Sequence, residues 1–309
     1  MTIQNRFQLI LGLMLSSIAF LTCKLTETKP VPAPPGFDWQ GHRGCRGLLP
    51  ENSLPAFLHA LEFPQVSTLE LDLAVSKDNQ LIVSHEPWFN PDICRKPDGD
   101  SIKKGEAEKF LIRQMTAEEI RGFDCGSTGN PRFAHQKKMP VYKPTLTEVV
   151  VAVRKQYPGK TVRWNIEIKS QPQWDGTATP PVDEFARLVV EALKTLQIDY
   201  ALTTVQSFDL RALQAVHRLD PAVRLALLTE PLQGFDKSLD KLGFIPTIYS
   251  PYYLTVDKKL VRKCREKGML LIPWTVNDVP AMRRLIRLGV DGIITDYPDK
   301  IAAATGAGQ

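Results

Sequence analysis

Short apolar segments alternate with amphipathic ones along most of this chain, and no other feature narrows its fold so far. Strand candidates fall at 39–42, 68–75, 81–85, 162–168, 202–207, 224–229, 247–250, 270–275 and 292–296. Apolar residues recur at helical spacing over 182–196, 210–219 and 279–288, and over 256–267, where Gly268 supplies a stop. A helix-like run covers 53–63, and Thr145-Leu146-Thr147-Glu148 reads as a capping box before a helix at 149–156. Strand–helix–strand units bury both faces of a parallel sheet. So many units in one 309-residue chain predict an α/β protein built as an irregular (β/α)8, or TIM, barrel rather than an open sheet.

The rhythm breaks in two places. Segments 69–76 and 80–85 flank a polar turn holding Asp78-Asn79, so they read as a β-hairpin. With Asp78-Asn79 as a two-residue loop, Asp72 faces His85 on the neighbouring strand. From Pro87 to Pro140 the alternation lapses, punctuated by Asn90-Pro91 and Pro97-Asp98-Gly99. One short helix is expected from Thr116, with Glu119 completing its capping box. Loops of this length without a function are uncommon. The insertion 87–140 also carries Trp88, Phe89, Phe123 and Phe133. It is therefore expected to form an ordered subdomain over the barrel mouth, with these rings packing it, the alternative being that they grip a lipid tail.

Charge and chain ends narrow the setting. Net charge is +5, with no dense Lys/Arg run, which argues against nucleic acid and suits a small anionic substrate. Residues 1–22 carry one charged side chain, Arg6, and an apolar run from Leu9 to Leu21. A membrane span takes about 20 residues, so this run fits a signal peptide better. Cys23 follows directly and resembles a bacterial lipoprotein site, although Phe20-Leu21-Thr22 departs from the usual Leu-small-small pattern. The expectation is an exported protein of the periplasm or envelope, anchored to a membrane through lipidated Cys23. Residues 23–36 are a Pro-rich tether, 37–301 form one domain, and 302–309 are a flexible tail. Export permits disulfides, and Cys94 and Cys125 share the insertion, so they are expected to pair. Cys45 is read as a small residue under a tight turn rather than as a nucleophile. No Cys/His spacing resembles a zinc site.

In a barrel of this kind the active site lies at the C-terminal ends of the strands. His42-Arg43 ends the first strand candidate, beside glycines that let backbone approach a ligand. Glu70 and Asp72 stand two apart in the second, so they share a face, and Glu167 and Lys169 repeat the spacing in the fourth. Any one of these carboxylates alone would be read as an ion-pair partner, and His85 alone as a rim histidine. Together, three carboxylates converging in a barrel mouth repel one another unless a cation joins them. Hard oxygen ligands favour one divalent ion, Ca2+ or Mg2+, over zinc. His59, His135 and His217 lack such context.

Several motifs, in order, resemble the glycerophosphodiester phosphodiesterase family. They are His42-Arg43-Gly44 with Pro50-Glu51-Asn52-Ser53, Glu70-Leu71-Asp72, Ser84-His85, Glu167-Ile168-Lys169, Gln206-Ser207-Phe208, Trp274-Thr275-Val276-Asn277 and the run from Asp291 to Pro298. The resemblance covers residues 38–299. It implies an irregular (β/α)8 barrel with an insertion after the second histidine motif, and hydrolysis of glycerophosphodiesters to sn-glycerol 3-phosphate and an alcohol. By that resemblance His42 and His85 are the acid–base pair. Glu70, Asp72 and Glu167 hold the divalent ion, Arg43 and Lys169 contact the phosphate, and Trp274 and Gln206 line the substrate pocket. Cys45, Ser53 and Glu86 stand where alanine, threonine and aspartate are common, and none removes an implied catalytic group. Two other readings remain open. One is a phospholipase D-like enzyme acting on lysophospholipids or sphingolipids. The other is an envelope lipoprotein that binds a phosphorylated ligand without turnover.

Overall fold

The computed structural model describes residues 29–307. The expected signal segment and Cys23 lie outside the described residues. The strands are β1 (Asp38–Gly41), β2 (Val66–Val75), β3 (Leu81–Val83), β4 (Arg163–Ile168), β5 (Thr203–Ser207), β6 (Arg224–Thr229), β7 (Ile248–Pro251), β8 (Leu270–Leu271) and β9 (Gly292–Thr295). Eight of them run parallel in the order β8-β7-β6-β5-β4-β2-β1-β9, with β3 antiparallel on β2. Backbone hydrogen bonds from Asp291 to Leu271, from Ile294 to Pro273 and from Val276 to Ile294 close the ring.

The sequence fills both sides of this wall differently. Outward residues such as Leu69, Leu71, Ile166, Val205 and Leu227 pack under the helices in the main core. Inside the barrel, Ala226, Ile248, Ile272 and Ile294 form a separate apolar cluster. On the opposite side of the interior, Gln40, Thr68, Asn165 and Gln206 are buried and polar. One half of the barrel is thus filled with hydrocarbon and the other with hydrogen-bonding groups.

The helices are α1 (Leu54–Ala60), α2 (Ala117–Arg121), α3 (Leu146–Gln156), α4 (Val182–Thr195), α5 (Leu210–Leu219), α6 (Phe235–Leu242), α7 (Lys258–Glu266), α8 (Val279–Leu288) and α9 (Ile301–Thr305). Both expected capping boxes form, at Thr116/Glu119 and Thr145/Glu148. The sequence reading did not single out α6. It is eight residues long and starts at Gly234, with no capping side chain to announce it. Among the described residues no helix is long and apolar enough to cross a membrane.

Three expectations need correction. The β2–β3 ladder pairs Leu73 with Val83, which sets Asp72 opposite Ser84 rather than His85. The loop holds three residues, because Ser76 N–H bonds Gln80 O and Asn79 takes the left-handed conformation, φ 58. Asn tolerates that region, so the loop takes in Lys77 as a third residue. The eighth strand pairs regularly only over Leu270–Leu271, since Pro273 has no N–H to donate. The tail expected from residue 302 is helical through Thr305, with Ala304 fully buried and its carbonyl bonded to Val31 N–H at 3.0 Å. The described end of the tether therefore docks on the last helix.

The insertion has its own core, as expected. Phe89, Ile93, Ile102, Ile112, Ile120 and Phe123 pack around the Cys94–Cys125 disulfide and continue onto Ala74 and Ile82 of the hairpin. Phe89 and Phe123 stack at 3.7 Å.

Candidate active site

The loop after β1 is a compact knot of unusual backbone. Arg43 and Asn52 both take left-handed φ, 51 and 54, and Asn52 N–H bonds Arg43 O at 3.1 Å. Gly44, at φ 82, is pressed against α1, where an added Cβ would lie 2.6 Å from Ala56 carbonyl carbon. Only glycine fits there, and the contact fixes His42 and Arg43 over the barrel axis. Ser53 caps α1 by accepting from Ala56 N–H. Cys45 is fully buried, donates to Ala56 O, and burial pushes its thiol up to about 12. It is a packing residue, in line with expectation.

Below that loop, inward-facing Glu70, Asp72 and Glu167 converge, each with a carboxylate oxygen within 4.8 Å of the others. The β2–β4 ladder brings this about by pairing Asp72 with Glu167. Glu70 accepts from the Arg43 amide at 2.8 Å and from Gln206 Nε2 at 2.9 Å. Asp72 Oδ2 accepts from Asn52 Nδ2 at 2.8 Å and lies 3.1 Å from Arg43 Nε. Lys169 Nζ pairs with Glu167 at 2.8 Å and stands 3.8 Å from Asp72 Oδ1.

The charge balance of this cluster is unsettled. Burial, then the charges of Asp72 and Glu167, push Glu70 well above the carboxylate range. Burial, resisted by Lys169, raises Glu167 to about 7. Burial would raise Asp72 too, but Arg43 foremost holds it well below its ordinary value. Asp72 Oδ1 is buried without a hydrogen-bond partner. Three crowded carboxylates and an orphaned oxygen fit a hard divalent cation, whose oxygen ligands sit about 2.0–2.6 Å from the metal.

Both histidines flank the cluster, and each leans on a carboxylate. His42 Nδ1 lies 2.6 Å from Asp296 Oδ1, and its Nε2 lies 3.9 Å from Glu70. Asp296 also receives Arg46 Nε at 3.0 Å, Arg46 Nη2 at 3.1 Å and Asn277 Nδ2 at 2.7 Å. Burial would raise Asp296, but His42 and Arg46 beside it keep it ionised, far below the usual range. An ionised Asp296 assigns the ring hydrogen of neutral His42 to Nδ1 and leaves Nε2 as a lone pair facing the cleft. Burial, then Arg46, pushes His42 down to about 4.

His85 is 31% exposed and its Nδ1 lies 2.9 Å from Glu86. Burial, then Arg43, lowers it as well. Its turn is pinned from behind, where buried Lys143 donates to Ser84 Oγ at 2.7 Å and Ser84 donates to Glu86 O at 2.6 Å.

A cleft of about 510 Å³ opens above, lined by His42, Arg43, Glu70, His85, Glu167, Lys169, Gln206 and Trp274. All the expected site residues of the barrel therefore meet, with Asp72 fully buried at the base. Trp274 forms a wall with Phe208 and Tyr252, ring centroids 5.3 and 5.6 Å away, and Lys169 Nζ sits 5.8 Å over Phe208. Gln206 touches the cleft, but its amide is committed to Glu70 and to Asn165, so it orients a carboxylate more than it offers a surface to substrate. Arg43 is likewise engaged, by Glu51 at 2.7 Å as well as by Asp72.

The sequence reading assigned no role to Asp296, Arg46, Glu51 or Lys143. A signal existed for two of them, since Asp296 ends a strand candidate and Glu51 sits in the first quoted motif.

Comparisons with known proteins agree with this geometry. The model of the Glycerophosphoryl diester phosphodiesterase family matches residues 42–300. A glycerophosphodiester phosphodiesterase of Caldanaerobacter subterraneus is 29% identical over 262 residues, covering 84% of this chain and 94% of the relative. A Silicibacter pomeroyi structure provisionally called a glycerophosphoryl diester phosphodiesterase superposes with TM-score 0.77 at 26% identity, covering 89% of this chain and 95% of its own. An Oleispira antarctica phosphodiesterase, solved with the product sn-glycerol-3-phosphate, shares the fold at TM-score 0.69 and 22% identity, covering 89% and 98%. The chain belongs to the glycerophosphoryl diester phosphodiesterase family, a family of enzymes.

Proposed function

We propose that this enzyme hydrolyses glycerophosphodiesters to sn-glycerol 3-phosphate and an alcohol by two-histidine acid–base catalysis, with one divalent ion bound by Glu70, Asp72 and Glu167. The observation that carries the reading is the cleft itself. It brings two carboxylate-backed imidazoles, a buried triad of carboxylates and the cations Arg43 and Lys169 to one point. Each part answers a need of the reaction. A phosphodiester is anionic, and its attack builds further charge on the phosphoryl oxygens. Arg43 and Lys169 lie where that charge would form. A bound Ca2+ or Mg2+ would add electrostatic stabilisation of those oxygens. His42, neutral with its Nε2 lone pair toward the cleft, takes the proton of the nucleophile, either water or the substrate's own glycerol hydroxyl; in the second case the cyclic phosphate formed as the alcohol leaves is then opened by water to sn-glycerol 3-phosphate. His85, in its protonated form beside Glu86, gives a proton to the departing alkoxide and is reprotonated from solvent between turnovers.

The test is release of sn-glycerol 3-phosphate from glycerophosphocholine by the purified protein. EDTA is expected to abolish release, and Ca2+ or Mg2+ to restore it. Folded, metal-supplemented protein that releases nothing would refute the assignment.

We also propose export and membrane anchoring through Cys23. The apolar run ahead of Cys23 supports this, and so does the Cys94–Cys125 disulfide, since such bonds persist in oxidising compartments. Mass spectrometry of the mature N-terminus tests it, and an unmodified Cys23 on an uncleaved chain would refute it.

A further inference from the structure

Not every charge at the mouth of the cleft has an ion-pair partner among the described residues. Among the described residues, His42, Arg43, Arg46, His85, Glu167 and Lys169 each make an ion pair with an opposite charge. Glu70 is held by the Arg43 amide and Gln206. Two cleft residues have no ion pair, Arg132 and Glu230, and both are exposed.

Their positions are opposed. Arg132 belongs to the insertion segment that packs on the loop after β1. Its neighbour Phe133 lies under Arg46, with the guanidinium 4.9 Å from the ring centroid, and Lys137 N–H bonds Leu48 O. Glu230 follows β6, which stands four strands from β1 in either direction around the eight-stranded ring. Its backbone is held in a closed turn by Gln233, whose Oε1 accepts from Glu230 N–H at 3.1 Å, while its carboxylate makes no ion pair among the described residues. The mouth is thus positive on the side of the catalytic loop and negative on the far side. Between the poles stand the half-buried faces of Trp174, Phe208 and Trp274.

We propose that Glu230 and this aromatic wall form the subsite for the leaving alcohol, and that they select alcohols bearing a cationic amine, of the choline or ethanolamine type. The inference rests on the diesterase reading and adds its substrate class. A diester whose phosphorus sits at the carboxylate triad sends its alcohol toward the open mouth, where it must depart. An ammonium group there meets a free carboxylate and indole faces, which attract cations. Neither attraction acts on a neutral alcohol of similar size.

The experiment compares kcat/KM for glycerophosphocholine and glycerophosphoglycerol, in the wild type and in Glu230→Gln, with choline chloride as a competing inhibitor. The wild type is expected to favour the choline diester. Glu230→Gln is expected to reduce that ratio by about two- to five-fold and to weaken inhibition by choline, the size of an exposed charge pair, while the cation–π contact with the aromatic wall remains. High salt is expected to shrink the wild-type preference. A ratio unchanged by the substitution overturns the inference, and so does an equal loss on both diesters. A wild type that turns over both diesters without preference overturns the inference alone. One that turns over neither overturns the diesterase reading and the inference with it.

Discussion

Asp296→Asn probes the site where it is least visible in the sequence. Asp296 meets His42 at 2.6 Å, Arg46 in two contacts and Asn277 in a fourth. Asparagine keeps the shape but presents a hydrogen-bond donor on one of its two positions. If Nδ2 faces His42, it forces the imidazole hydrogen from Nδ1 to Nε2, and the lone pair that should receive the proton is lost. In the Ser-His-Asp template the same exchange costs about 10⁴ in kcat. A general base contributes about 10²–10⁴-fold, so that range bounds the expected fall in kcat here, with KM little changed. Arg46 loses its charged partner in the same step, and its other carboxylate neighbour, Glu51, is 3.9 Å away. Breaking a buried pair on one side costs about 3–5 kcal/mol of stability, so unfolding must be followed beside turnover. The direct assay is nitrogen-15 NMR of His42, which reports the tautomer whether or not the enzyme turns over. Nε2 is expected to carry the hydrogen in the variant. A folded variant with near wild-type kcat, or with His42 still protonated at Nδ1, would refute the reasoning.

Four further outcomes are expected. His85→Ala should cost far more turnover on glycerophosphocholine than on a p-nitrophenyl diester, whose alcohol leaves without an acid, whereas His42→Ala should cost both alike; equal losses for His85→Ala would cancel the assignment of acid and base. Lys143→Met removes the donor to Ser84 and so loosens the His85 turn; kcat should drop by roughly ten-fold, about 1.4 kcal/mol, and an unaltered kcat would show that the turn holds without it. The Cys94–Cys125 bridge spans 31 residues, which in the loop-entropy treatment contributes about 3–4 kcal/mol; urea midpoints that coincide with and without reductant would contradict this. Burial would raise Glu148, but the Thr145 amide and then Arg121 lower it. A lowered folded pKa adds stability that is present above the unfolded value of about 4.3 and is lost as pH falls through the folded value. Wild type should therefore exceed Glu148→Gln by about 0.5 kcal/mol at neutral pH, the size of an exposed ion pair with Arg121, and the gap should close in acid; a gap constant with pH would argue against it.

Much of this protein is a local matter, and local matters are legible in a sequence. A barrel strand needs only its own apolar run, and a helix its own spacing and cap, so the strand candidates all found their place and both capping boxes formed. Side chains two apart on a strand share a face whatever the rest of the chain does, which is why Glu70 with Asp72, and Glu167 with Lys169, were found to belong together before any contact was known. Thin local signals place elements less firmly. Helix α6 has no capping side chain at its N-terminus, and one residue of loop before Asn79 moved His85 out of register with Asp72. The tertiary structure alone decided what depends on partners far apart in the chain. Asp296 reaches His42 across 254 residues, Gln206 turns its amide to Glu70 across 136, and the insertion lays Arg132 beside the loop after β1. No spacing rule connects such pairs. They meet because the ring of strands closes and brings the ends of β9 and β5 beside those of β1 and β2, and only a closed barrel sets which charges find ion-pair partners and which, like Glu230, stand without one among the described residues.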